Sequence, residues 1–139
     1  MERIDLAFKA ALLFFGGLFS VLTDNFGVLF AVLVVIMIAD FITGVWASVK
    51  EGRKPKSAVG IAGFSKKTVT LIIVGLVYLV EINLFGTNTA GDAMAMVYVG
   101  LELLSVTENA ARMGVYIHPK IKEMINLLKG DEKSSGDKQ

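Results

Sequence analysis

The chain has no cysteine and only one histidine, His118, among its 139 residues. Disulfides, thiolate metal sites and cysteine nucleophiles are therefore excluded, a His-rich metal centre cannot be assembled, and the residues carry no mark of redox compartment. Charge of one sign is also missing. The 14 basic and 13 acidic residues nearly cancel, which offers no electrostatic handle for nucleic acid. With one histidine and no cysteine, no paired nucleophile and base can be assembled, so neither an enzyme nor a cofactor is expected.

What the chain has instead is apolar surface: 54% of its residues are hydrophobic and its mean hydropathy is +0.63. A chain this short cannot hide so much inside one globule, so the surplus must face lipid or other subunits. Residues 26–49 make the case alone, because Asp40 is their only charged residue. At about 1.5 Å per residue the segment exceeds the roughly 30 Å of bilayer hydrocarbon.

Four such segments are read, at about residues 6–22, 26–49, 67–85 and 92–113. The first carries Lys9 close enough to its end for the ammonium to snorkel to the interface. Its barely basic N-terminal flank and the lack of a small-x-small site at its exit argue for an uncleaved span rather than a signal peptide. The fourth holds Glu102, Glu108 and Asn109, so lipid cannot surround it on every side. The expected fold is an all-α membrane protein of three to four transmembrane helices, four preferred. Residues 1–117 form the membrane domain, 118–130 a cytoplasmic amphipathic helix, and 131–139 a polar tail too hydrophilic to bury.

Loop charge predicts the orientation. Lys50, Arg53, Lys54, Lys56, Lys66 and Lys67 face a single acid, Glu51, across residues 50–67, whereas the connectors around Asp24 and Asp92 contain no basic residue. The basic loop is therefore expected in the cytoplasm, its lysines on anionic phospholipid headgroups, and four spans put both termini there too. Gly52, Pro55, Gly60 and Gly63 predict breaks in this loop, with Ser65 as N-cap of the third span. After Pro119, the apolar residues Ile121, Met124, Ile125 and Leu128 fall at helical spacing among lysines. That pattern suits an interfacial helix, or one that packs on a neighbouring subunit.

Inside the spans the small and polar residues carry the information. Asp40, Gly44 and Ser48 recur every four residues beside Ala39, Thr43 and Ala47, a face narrow enough for close helix approach. A carboxylate at depth costs roughly 2.5 to 3.5 kcal/mol on insertion scales, so Asp40 needs a partner or water. Glu102, Ser105 and Asn109 share one face of the fourth segment with Glu108 beside them and Gly114 on a small-residue edge, and Glu81 closes the third. These groups either line an aqueous path between subunits or hydrogen-bond within a bundle. No inverted repeat of the transporter kind is visible.

The succession of an Asp-x-x-x-Gly step (Asp40, Gly44), a Ser-x-x-Gly-x-x-Gly-x-x-Lys-Lys loop (Ser57, Gly60, Gly63, Lys66, Lys67) and a closing set of Glu102, Ser105, Glu108, Asn109, Gly114 and Pro119 resembles the toxin secretion and phage lysis holin family. The resemblance runs from about Ile38 to Leu128. It implies a homo-oligomer that gathers in the bacterial cytoplasmic membrane and opens lesions through which an endolysin, or in some members a toxin, escapes. An antiholin is a further partner it allows.

Overall fold

The computed structural model describes residues 2–52 and 57–128, and these are helical apart from short connections. The helices are α1 (Glu2–Phe26), α2 (Val28–Lys50), α3 (Ser57–Phe85), α4 (Thr89–Arg112) and α5 (Pro119–Leu128). Four stretches, Ile4–Phe26, Val28–Lys50, Gly63–Phe85 and Thr89–Arg112, are long and apolar enough to cross a membrane. The chain is a multi-pass all-helical membrane protein. Arg53, Lys54, Lys56 and the polar tail expected at 131–139 lie outside the described residues.

Glycines set the corners. Gly27 alone separates α1 from α2 with φ +102°, a conformation that side chains strongly disfavour, and its amide still caps Thr23 O of α1 at 3.1 Å. At the other end, Gly114 (φ +88°) ends α4: its N–H donates to Ala111 O at 2.9 Å and that of Val115 to Ala110 O at 3.0 Å. This is a Schellman turn, and it redirects the chain so that Pro119, favoured at the first helical position, can start α5.

α3 differs from the sequence expectation. It is one helix from Ser57, running through Gly60, Gly63 and Ser65, so the breaks predicted at Gly60 and Gly63 and the Ser65 cap are corrected, while Gly52 (φ +70°) does break the chain after α2 and Pro55 lies outside the described residues. Thr68 and Thr70 donate their hydroxyls to Phe64 O and Lys66 O, one turn back. The physical reason is modest arithmetic. An isolated helical glycine costs about 1 kcal/mol relative to alanine, too little to break a helix that gains a hydrogen bond with each residue added.

α2 and α4 form the centre of the bundle and pack most extensively on each other, while α3 leans on α4 and α1 on α2. Phe30, Leu33 and Met37 of α2, Val74 and Tyr78 of α3, and Ala95 and Val99 of α4 are buried together. Because α2 is apolar almost all round, its small residues decide which side meets α4. Ala31 and Ala47 are fully buried, as is Ala95 opposite, and small side chains let the backbones come close. α1 stands apart: its residues 4–21 are all exposed, and only Leu22 and Phe26, near its end, pack against the core. In a bilayer that exposure is contact with lipid.

Candidate functional site

The small face of α2 meets α4 along a seam, and α3 closes over it. Gly44 lies against Asn109 of α4, since a Cβ placed there would sit 3.4 Å from Asn109 Nδ2. That amide donates to Asp40 Oδ1 at 2.9 Å and to Thr43 Oγ1 at 3.2 Å. On the other side of Asp40, Lys67 Nζ of α3 lies 3.0 Å from Oδ2 and also pairs with Glu102 of α4. One ammonium thus joins three helices. The seam continues along α4, where Arg112 donates from Nη1 to Asn109 Oδ1 at 3.1 Å and grips Glu51 with both arms, Nε and Nη2 each at 2.9 Å. Beside it, Lys50 Nζ donates to Met113 O and ties the end of α2 to the end of α4.

Depth makes this arrangement consequential. Asp40 is twelve helical steps from Val28, about 18 Å at 1.5 Å per residue, which places it near the middle of its span. Its side chain and that of Glu102 are only 10% and 12% exposed. A lone charge there is costly, and removing one partner from a buried pair is strongly destabilising because the survivor is left uncompensated. With Lys67 between them the two carboxylates share a cation. No buried side-chain nitrogen or oxygen among the described residues lacks a hydrogen-bond partner.

A second polar cluster closes the opposite end. Tyr78 donates its hydroxyl to Asp92 Oδ1 at 2.6 Å, and its ring presses on Gly91, where a Cβ would come within 2.7 Å. Glu81 caps α4 from α3. Its Oε1 accepts from Thr87 Oγ1 and Ala90 N, both at 2.9 Å, and its Oε2 from Gly91 N at 2.8 Å. A carboxylate at a helix N-terminus satisfies free amides and complements the dipole.

Of the residues singled out in the sequence, the structure brings Asp40, Gly44, Glu102, Asn109 and Lys67 into one place. Lys67, expected among headgroup lysines, turns into the bundle, while Lys66 is exposed. Ser48 donates to Gly44 O within its own helix, Ser105 is half-buried, and Glu108 is exposed. Gly114 is the corner after α4 rather than a packing edge. Sequence reasoning missed Arg112 and Glu51 as seam members, and Tyr78 with Asp92. Arg112 had a signal, three residues beyond Asn109 on the same face. Chemically the seam holds helices together, since Lys67 stands where a metal would be needed between Asp40 and Glu102. Among the described residues no three His, Cys, Asp or Glu side chains are grouped to hold one.

A family model described as the bacteriophage holin family matches residues 17–130. Uncharacterized proteins of Listeria innocua and Listeria monocytogenes are each 33% identical, the first over 97% of this chain and 98% of the relative, the second over 98% and 95%. An uncharacterized 14.9 kDa protein of Clostridium perfringens is 28% identical over 92% of this chain and 97% of the relative. No solved structure matches the chain.

Proposed function

The chain belongs to the bacteriophage holin family, and on that premise we propose that it acts as a holin: it gathers as a homo-oligomer in the bacterial cytoplasmic membrane and opens lesions that release an endolysin, and so lyses the host. The observation that carries the reading is the family match over residues 17–130, which takes in the end of the first span and all of the other three, together with the polar seam that joins those three. Both termini and the basic loop that follows Lys50 face the cytoplasm, where its lysines, other than Lys67 of the seam, meet anionic phospholipid. No catalytic step, cofactor or nucleic acid is involved. The endolysin need not touch the holin, an antiholin is an additional partner, and a toxin is the alternative cargo.

The seam gives this activity a physical starting point. A subunit whose buried side-chain polar groups, among the described residues, are all paired within itself enters lipid with its seam closed and a mainly apolar surface outward. Association then uses lipid-facing surfaces, of which α1 offers the largest. For Asp40, Glu102 and Asn109 to border water, α2, α3 and α4 must part, and water then replaces the partners they lose. The polar groups thus hold the resting subunit and wet the lesion.

The test is graded efflux. The purified chain is reconstituted into liposomes that hold a small dye and a folded enzyme together. Release of both is expected. Dye loss with the enzyme retained would instead make the chain an ion channel, and retention of both would make it a scaffold.

A further inference from the structure

We propose that α5 lies in the headgroup layer of the bilayer its own bundle spans, with Ile121, Met124 and Leu127 turned to the acyl chains and Lys120 and Lys122 on anionic headgroups. This inference needs only the membrane-spanning bundle and is independent of lesion formation. α5 packs on α4 through Ile125, which is 6% exposed, yet Ile121, Met124 and Leu127 are 47%, 65% and 66% exposed. At 100° per residue these three are neighbours on the wheel, with Ile125 at the edge of their arc. α4 therefore covers one edge of the apolar stripe and leaves the rest open.

Three observations identify what covers it. First, α5 starts four residues after the Schellman turn at Gly114 that ends the fourth span, and that turn lies beside the end of α2, where Lys50 Nζ donates to Met113 O. Second, that level carries exposed aromatic side chains, Trp46 on α2 and Tyr116 before α5, of the kind that settles at membrane interfaces. Third, Lys120 and Lys122 are exposed on the helix whose stripe is uncovered, with Glu123 the only acid on it. On the wheel Lys122 borders the stripe beyond Ile125 and Lys120 falls within its arc, in the first turn, where a long stem can lie along apolar surface and lift its ammonium to the headgroups, so the stripe and its lysines together complement an anionic surface. Three apolar side chains would bind a bilayer weakly if free. Tethered to a transmembrane helix, α5 has already lost its translational freedom, so a small gain suffices.

Because the chain has no cysteine, single-cysteine variants of the full protein report position cleanly. Met124→Cys and, as the solvent-facing comparison, Glu123→Cys are labelled with an environment-sensitive fluorophore in phosphatidylglycerol-containing proteoliposomes. The label at 124 is expected to shift to the blue and to be quenched several-fold more by lipids brominated near the headgroup than by aqueous iodide, with the reverse at 123. Replacing phosphatidylglycerol by phosphatidylcholine should raise iodide access at 124. Iodide quenching at 124 equal to that at 123 would overturn the proposal. So would protection from both quenchers that vanishes as protein is diluted in lipid, because a second copy would then be the cover. Unchanged iodide access in phosphatidylcholine would remove the lysine and headgroup part. A label that stays in water in a protein that still releases enzyme would sink this inference and leave the holin reading standing.

Discussion

Asp40 and Asn109 stand 69 residues apart in the chain and are joined at 2.9 Å across the seam between α2 and α4. The bond explains why an apolar helix carries a single aspartate at mid-depth and why the opposite helix carries an asparagine rather than an alanine. It also makes the seam a shared structure, in which each partner is tolerable only because the others are present.

Removing the shared cation should therefore be costly. Lys67→Met leaves two buried carboxylates facing each other and is expected to destabilise the subunit by about 3 to 5 kcal/mol. Adding Asp40→Asn and Glu102→Gln to the same chain should recover much of the loss, since neutral amides can pair without a cation. Thermal unfolding in detergent measures both. Equal stability of Lys67→Met and the unaltered chain would remove the seam from the account.

Gly44→Leu places a branched side chain where even an added Cβ would sit 3.4 Å from Asn109. It is expected to abolish lysis and leave membrane insertion intact, as read by lysis timing beside membrane fractionation. Lysis on schedule would show that α2 and α4 need not approach closely.

Two glycines make a matched pair. Gly91→Ala drives a methyl to within 2.7 Å of the Tyr78 ring and should cost about 1 to 3 kcal/mol by overpacking. Gly60→Ala meets nothing within 4 Å, and in a helix it should be neutral or stabilising by up to about 1 kcal/mol. Melting temperatures that move together would contradict this placement of Tyr78.

Glu81→Gln weakens the cap on α4 without emptying the site. Hydrogen exchange at the Ala90 and Gly91 amides should speed up while exchange at the Val99 amide stays unchanged. Uniform acceleration along α4 would mean that the carboxylate supports the whole helix and not its first turn.

How much was legible in the sequence follows from the range of each signal. Apolar length marks a membrane helix wherever it sits, so α2 could be read from a single uninterrupted run with one charge. The small-residue spacing of Asp40 and Gly44 identified the packing face, and the same periodicity exposed the stripe on α5. Partners were not legible, because nothing near Asp40 in the chain says that Lys67 and Asn109 will meet it. Lys67 misled for the same reason: a lysine beside a span reads as an interface anchor until the fold turns it inward. The start of α3 was missed because glycine and serine are counted as breakers, although isolated glycines cost a helix little.

The central claim is that the chain opens the membrane to protein at a set time, and it is tested most directly by inducing the chain in bacteria with a cytoplasmic endolysin while following membrane potential and enzyme escape together. The account predicts a silent period, then abrupt depolarisation with lysis that depends on the endolysin. Depolarisation with the enzyme retained in the cytoplasm, or no change in either signal, would contradict it.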